Sequence, residues 1–340
     1  MKAAVYYNNK DVRIEEVKTP EIADTEMLLK VLASGICGSD VMEWYRIKKA
    51  PLVLGHEVAG TIEKVGKAVS KFSPGQRVTV AHHVPCNTCR YCLRGEFSVC
   101  DTLRTTNFDP GGFAEYLRVP SVNVDRGVFL VPDGLSLEEA TFAEPLGCVV
   151  RGLRAARFEP GKSVLVIGSG ISGLLMIRLA KALGAGPIIA TDINDFRLKA
   201  AVVSGADLTL NAKDDVPAMV KASLGRGADV VVLCAARESA IEQALKSAGR
   251  GSSILMFAPA EPAQTFPVPL FDLWRDNVSI VNSYAAPPAD TAVAIELLAA
   301  GRVRVFDMIT HRLPLKDAAM GFGLTAAGGE SLKVIIEPHK

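Results

Sequence analysis

The chain has 340 residues, of which 49% are hydrophobic, and this is enough for two domains with an apolar core each. Its 38 basic and 37 acidic residues nearly cancel, so charge gives no reason to expect a nucleic acid or an anionic membrane as partner. The first residues turn polar too early for a secretory signal, and no apolar run approaches the roughly 18 residues of a membrane span. We therefore expect a cytoplasmic protein that acts on a small molecule.

Residues 1 to about 32 alternate apolar and polar positions, which predicts antiparallel β-structure. A turn-rich segment then carries Cys37 within Gly-Ile-Cys-Gly-Ser-Asp. A single cysteine is more often a small buried residue than a metal ligand. Further on, His56 and Glu57 stand side by side between Gly55 and Gly60, ahead of a predicted strand.

This pattern, G-H-E-x-x-G-x-x-x-x-x-G with an upstream cysteine, resembles the zinc-dependent medium-chain dehydrogenases, the family of alcohol, sorbitol and threonine dehydrogenases. The resemblance extends over essentially the whole chain. It implies a GroES-like, mainly antiparallel β catalytic domain and a Rossmann NAD-binding domain. It also implies a homotetramer or homodimer, and a catalytic zinc bound by Cys37 and His56, with one position kept for water or substrate.

The resemblance leaves two carboxylates for the third protein ligand of this zinc. Glu57 follows the histidine directly, and Glu144 lies in Phe-Ala-Glu-Pro-Leu, as in the sorbitol dehydrogenase branch. We favour Glu57 as the direct ligand and place Glu144 against the metal-bound water or the substrate. The two could exchange as the zinc changes its coordination number.

The resemblance also assigns a proton relay. Ser39 would pass the proton of the substrate hydroxyl onward, and Asp40 would orient His56. In much of the family a histidine continues the relay five residues after the zinc cysteine, but Met42 holds that position here. Glu43 is one candidate for a substitute; the alternative is that it is a solvated carboxylate.

Four further cysteines form the strongest metal signal in the sequence, with two, two and seven residues between them. This spacing lets four thiolates surround one ion, and such a closed set predicts a structural zinc; a redox pair or an iron–sulfur site is the alternative. His82 and His83 precede the set. Neighbours in a strand point to opposite faces, so at most one would face the active site, and we interpret both as ordinary strand-end residues. The four ligands are Cys86, Cys89, Cys92 and Cys100.

A buried strand over 163–167, a three-glycine turn and a helix ending at Gly184 predict a dinucleotide site. Gly168 permits the tight turn, Gly170 lets the backbone approach a pyrophosphate, and Gly173 allows close packing of helix and strand. The first helical residues, Ile171 and Ser172, offer free N–H groups to the phosphates.

The next strand, 188–192, ends in Asp192, at the expected distance for a carboxylate that binds the ribose hydroxyls. Because this charge would repel a 2′-phosphate, the sequence predicts NAD rather than NADP. The alternative is a helix-capping aspartate. The resemblance places Arg197 beside the adenosine; otherwise it is a solvated helix residue.

Strands and helices alternate over the second half of the chain, which predicts an α/β doubly wound parallel sheet. We expect a catalytic domain from 1–145 and 285–340 and an NAD-binding domain from 146–284. The predicted strands are 163–167, 188–192, 229–234, 253–257 and 278–281, and the predicted helices include 196–204, 239–246 and 290–300.

The predicted activity is the zinc- and NAD-dependent oxidation of a secondary alcohol, such as a polyol or cyclic polyol, to a ketone. In this chemistry zinc acts as a Lewis acid on the hydroxyl and hydride passes to the nicotinamide. A primary-alcohol or aldehyde enzyme and a threonine-dehydrogenase-like enzyme are alternatives. A non-catalytic dinucleotide sensor would have to lack the catalytic zinc, so Cys37, Ser39 and His56 together argue against it.

Overall fold

The computed structural model describes the whole chain, Met1–Lys340, as sixteen strands and twelve α-helices joined by short 3-10 turns. In chain order the strands are β1 (Lys2–Asn8), β2 (Asp11–Glu16), β3 (Met27–Gly35), β4 (Leu52–Val53), β5 (Glu57–Val65), β6 (Arg77–Val80), β7 (Tyr116–Val119), β8 (Val128–Leu130), β9 (Val164–Ile167), β10 (Ile188–Asp192), β11 (Leu208–Asn211), β12 (Ala228–Leu233), β13 (Ala248–Met256), β14 (Ser279–Asn282), β15 (Ile309–Pro314) and β16 (Lys333–Glu337). The helices are α1 (Glu43–Arg46), α2 (Asp101–Thr105), α3 (Ser121–Arg126), α4 (Leu137–Ala140), α5 (Ala143–Ala155), α6 (Ile171–Ala182), α7 (Asp195–Ser204), α8 (Val216–Leu224), α9 (Glu238–Ser247), α10 (Leu270–Arg275), α11 (Pro288–Ala299) and α12 (Ala318–Ala327).

The chain forms two compact units. The first contains Met1–Gly147 and Ala285–Lys340, and the second contains Cys148–Tyr284. The chain passes between the units inside α5, at 147/148, and again at 284/285; the boundaries predicted from the sequence are 145/146 and 284/285. No helix of either unit is both long and apolar enough to cross a bilayer.

The first unit contains a seven-stranded sheet in the order β15-β16-β3-β5-β6-β8, in which β7 also pairs with β3. Its pairs are antiparallel except β15–β16. At the end of β3, Gly35 lies between Glu57 of β5 and Ile335 of β16. This register brings the start of β5 and the last strand of the chain to the point where the Cys37 loop begins.

The second unit contains a six-stranded parallel sheet in the order β11-β10-β9-β12-β13-β14. The central strand β9 is Val-Leu-Val-Ile and is fully buried, as expected for a strand covered by helices on both faces. The predicted doubly wound sheet and the antiparallel catalytic domain are both confirmed. The short strand β11 and helix α8 were not predicted, because β11 offers only four residues of mixed polarity.

Candidate metal and cofactor sites

Three of the predicted ligands meet in the first unit. Cys37 follows β3, His56 immediately precedes β5, and Glu57 is the first residue of β5. Their ligand atoms lie within 4.8 Å of one another. A thiolate, an imidazole and a carboxylate at this separation form a donor set that suits a zinc ion with one open position.

His56 is held by a buried carboxylate. Its Nδ1 lies 3.4 Å from Oδ1 of Asp40, which is fully buried and also accepts a hydrogen bond from the Cys37 backbone N–H. Burial alone would lower the pKa of His56, but Asp40 and Cys37 outweigh it and raise this pKa well above its ordinary value. A metal bound by His56 would displace a proton from the ring, and Asp40 would remain behind it to receive the Nδ1–H group.

Glu57 offers one free carboxylate oxygen. Its Oε1 is buried without a hydrogen-bond partner, whereas Oε2 forms an ion pair with Lys333. Gly35 makes this arrangement possible, because a Cβ at that position would overlap Oε2 of Glu57. A buried anionic acceptor without a partner is costly, so Oε1 of Glu57 fits a cation bound together with Cys37 and His56.

The Ser39 hydroxyl lies beside this donor set and has a partner that the sequence did not indicate. It donates to Cys37 Sγ at 3.4 Å and accepts from Arg46 Nη2 at 3.0 Å, while Arg46 Nε donates to the Ser39 carbonyl at 2.9 Å. Glu43, the candidate substitute in the relay, is exposed and accepts from the Asn9 backbone N–H. The charged group at Ser39 is therefore the guanidinium of Arg46, which lies one helical turn after Glu43 in α1.

Glu144 lies in the first turn of α5 and is half-buried. It is not one of the three residues whose ligand atoms cluster. Its place against the metal-bound water or the substrate stays a prediction.

The two adjacent histidines differ from the prediction. The ring centroids of His82 and His83 are only 3.8 Å apart, and His82 lies 4.8 Å from His56. The expectation of opposite faces is wrong because β6 ends at Val80, so neither residue lies in a strand. Burial lowers the pKa of His82 well below its ordinary value and that of His83 to about 4, which keeps both rings uncharged beside His56.

The second metal site is formed by the four clustered cysteines. Their sulfur atoms all lie within 4.8 Å, with Cys86 3.6 Å from Cys100 and 4.0 Å from Cys92. Four sulfurs at about 2.3 Å from a tetrahedral zinc are roughly 3.8 Å apart, so the set fits such an ion.

The surroundings of these thiols support the same assignment. Hydrogen bonds, the largest from Thr88, lower the pKa of Cys86 to about 5, whereas burial raises that of Cys92 to about 12. The backbone N–H of Cys89 donates to the Cys86 sulfur at 3.3 Å. Four thiolates this close together repel one another, so the set needs the charge of a metal.

In the second unit the glycine motif has the geometry of a phosphate cradle. Gly168 has a φ of +95°, and a Cβ at Gly173 would overlap the Gly168 carbonyl. Gly170 caps α6 without a side chain and faces open space, so the N–H groups of Ile171 and Ser172 stay accessible to an anion.

Asp192 ends β10 beside this turn and is 6% exposed. Its Oδ2 accepts from the Ser169 N–H at 2.8 Å and its Oδ1 from the Asn194 N–H at 3.0 Å. Each oxygen can still accept from a ribose hydroxyl. Arg197, in the first turn of α7, has a buried Nε without a partner, which leaves it able to donate to a ligand.

Two family models match the chain. The alcohol dehydrogenase GroES-like domain matches residues 23–133, and the zinc-binding dehydrogenase model matches residues 172–300. Sorbitol dehydrogenase of Bacillus subtilis (strain 168) is 33% identical over 354 residues, which cover 100% of this chain and 98% of that protein. The chain belongs to the zinc-dependent medium-chain dehydrogenase family. The family resemblance in the sequence is thereby confirmed.

Solved structures agree with this membership. Alcohol dehydrogenase TADH from Thermus sp. ATN1 superposes with a TM-score of 0.88 at 31% identity and 99% coverage of both chains. A short chain alcohol dehydrogenase (rspB) from Escherichia coli CFT073, complexed with NADH, has a TM-score of 0.90 at 27% identity and 99% coverage of both chains. As a medium-chain dehydrogenase, the protein is an oxidoreductase acting on CH–OH groups of secondary alcohols or polyols, with zinc and a nicotinamide cofactor, as predicted.

Proposed function

We propose that the chain oxidises one secondary hydroxyl of a substrate that carries a second, neighbouring hydroxyl, with Cys37, His56 and Glu57 as ligands of the catalytic zinc. The observation that carries this ligand set is the buried, unpaired Oε1 of Glu57 beside the other two donors. The diol or polyol class is supported by the similarity to sorbitol dehydrogenase and by Glu144, whose segment Phe-Ala-Glu-Pro-Leu resembles that branch of the family.

Bound zinc would polarise the carbinol oxygen, and the nicotinamide would accept the hydride. The chain's own residues handle the proton. Ser39 accepts the proton of the substrate hydroxyl and gives its own hydroxyl proton to solvent water, and Arg46, which donates to Ser39 Oγ, fixes the direction of the serine hydroxyl. Arg46 cannot accept a proton itself, so its part is to orient Ser39 and to supply positive charge.

We assign NAD rather than NADP as the cofactor. Asp192 supports this, because its carboxylate ends β10 beside the glycine turn and would repel a 2′-phosphate. Arg197 supports the adenosine side of the same site through its unpaired buried Nε.

Glu144→Gln tests the polyol class, since it keeps the shape of the side chain and removes its charge. We expect two zinc ions per chain to remain and kcat/KM for vicinal diols to fall by about 10–100-fold, the range for a lost partner next to a metal site. The loss for simple secondary alcohols should be smaller, because they have no second hydroxyl. NADH absorbance and metal analysis by mass spectrometry provide the two readouts.

Glu21→Gln is a matched control, because Glu21 is an exposed carboxylate in the same unit. It should leave the zinc content and kcat/KM unchanged. A fall to one zinc per chain in Glu144→Gln would make Glu144 a ligand and remove Glu57 from that role. Equal losses for diols and mono-alcohols would contradict the polyol class.

We also propose that two copies of the chain associate through the free edge of the parallel sheet. The edge strand β14 has Ile280 40% exposed, and the neighbouring α10 leaves Phe271 and Trp274 65% and 77% exposed. An unpaired strand edge with adjacent apolar side chains is a template for pairing, and two identical antiparallel strands satisfy two-fold symmetry.

Light scattering tests this association. The wild-type protein should give particles with at least two chains. Ile280→Lys should give single chains, because the new charge would be buried at the interface between the two β14 strands. Met320→Lys, at an exposed apolar residue of the first unit, should leave the particle mass unchanged. A monomeric wild-type protein would rule the proposal out.

We also propose that the protein is located in the cytoplasm. None of the seven cysteines forms a disulfide, and five of them belong to the two metal sites. A reducing compartment keeps such thiols available for zinc.

A further inference from the structure

One buried cation near the catalytic donor set has no part in the function described so far. Lys333 begins β16, the last strand of the chain, and its side chain is 1% exposed. Its amine forms an ion pair with Oε2 of Glu57, which is also 1% exposed. The two residues lie 276 positions apart in the sequence.

The sheet brings this pair together. The order β16-β3-β5 places Lys333 and Glu57 on the strands that flank β3, and Gly35 of β3 has no side chain to separate them. The Lys333 amine also donates to the Ile36 carbonyl at 3.3 Å and lies 5.5 Å from the centre of the Phe142 ring. The amine is therefore tied both to Glu57 and to the residue before Cys37.

We propose that Lys333 competes with the catalytic metal for Glu57 and so limits the metal to one oxygen of that carboxylate. The proposal rests on the proposed ligand set. Lys333 occupies Oε2, and only Oε1, which is buried and unpaired, is left for the metal. A carboxylate restricted to one oxygen keeps a coordination position open for water or substrate.

The positive charge of Lys333 also weakens the binding of the metal to Glu57. Asp40 behind His56 is an anion that receives the Nδ1–H group and strengthens the imidazole as a donor. A cation behind a carboxylate does the reverse, because it withdraws negative charge from the oxygen that faces the metal. In apolar surroundings this competition is weakly screened, so Lys333 should make the bound metal more labile.

The decisive measurement is the affinity for the catalytic metal in Lys333→Met. The catalytic zinc is removed from the whole protein with a chelator and replaced by titration with Co²⁺, whose visible absorption reports its coordination number. We expect Lys333→Met to bind Co²⁺ at least about tenfold more tightly and to show weaker visible absorption, as a second carboxylate oxygen enters. Its kcat should fall, because the open position is lost.

Three variants serve as comparisons. Lys333→Arg keeps the charge and should resemble wild type, and Lys333→Gln should show the same tightening if Lys333→Met fails to fold. Lys18→Met removes an exposed ion pair from the same unit and should change nothing. In a Glu57→Gln background, Lys333→Met should no longer tighten Co²⁺ binding, because the carboxylate for which the cation competes is absent.

If Lys333 has only a structural role, the expected change in Co²⁺ affinity is the opposite. If Lys333 only holds Glu57 in place, Lys333→Met and Lys333→Gln should bind Co²⁺ more weakly, and that outcome would overturn the proposal. Unchanged affinity, or tightening that persists in the Glu57→Gln background, would do the same. Because the experiment measures Co²⁺ affinity, an error in the proposed substrate class would not change its result. An error in the proposed ligand set would show separately, as unaltered metal binding in a Cys37 variant.

Discussion

Replacing Cys37 with serine is expected to remove one of two zinc ions per chain and to lower kcat/KM by about a thousandfold. A hydroxyl is a poor zinc ligand compared with a thiolate, and the Lewis acid is worth several kcal/mol of transition-state stabilisation, at about 1.4 kcal/mol per factor of ten. The zinc held by Cys86, Cys89, Cys92 and Cys100 should remain, since the two sets share no ligand. Metal analysis and steady-state kinetics on the purified variant measure both effects.

Cys148→Ser is the matched control, because Cys148 lies outside both clusters and forms no disulfide. It should keep both zinc ions and the activity. Two zinc ions and full activity in Cys37→Ser would show that Cys37 does not bind the catalytic metal. Loss of both ions would show that the two sites depend on one folding event.

The second large effect is expected from Asp192→Ser combined with Ile193→Arg. This pair removes a carboxylate that would repel a 2′-phosphate and adds a guanidinium at a position that is 66% exposed. Hydrogen bonds to charged groups are worth about 1.5–3 kcal/mol, so each change should shift the ratio of kcat/KM for NADP and NAD by about 10–100-fold. Serine keeps a short acceptor for the Ser169 N–H group, which Asp192 now satisfies.

Asp195→Ser removes a neighbouring acidic residue of α7 and should leave the ratio as in wild type. Ile193→Arg alone should shift it less than the double variant, because Asp192 would still repel the phosphate. An unchanged ratio in the double variant would mean that Asp192 does not face the ribose.

The features that could be predicted from the sequence are those that depend on local geometry. The four zinc cysteines lie on one short loop, and the glycine turn, its strand and its helix are contiguous, so their spacing alone determines what they can form. The parallel sheet could also be predicted, since its strands are continuous apolar runs such as Val164–Ile167.

The contacts that the sequence did not reveal depend on strand register or on where an element ends. Lys333 meets Glu57 only because β16 and β5 both flank β3, which no spacing in the sequence shows. Arg46 reaches Ser39 because α1 folds the chain back on itself after Met42. The prediction that His82 and His83 point to opposite faces of a strand was wrong because β6 ends at Val80.

The discontinuity of the first unit has a consequence for synthesis on the ribosome. Residues 148–284 are contiguous and can fold as soon as they emerge, but β3 lacks its β16 neighbour until the last strand is translated. At about 5–20 residues per second, synthesis from residue 147 to residue 333 takes roughly 10–40 seconds. Throughout that interval Glu57 has no counter-ion from Lys333, so an ion captured during translation would meet a carboxylate with both oxygens free. Arrival of the final strand would then release one of them.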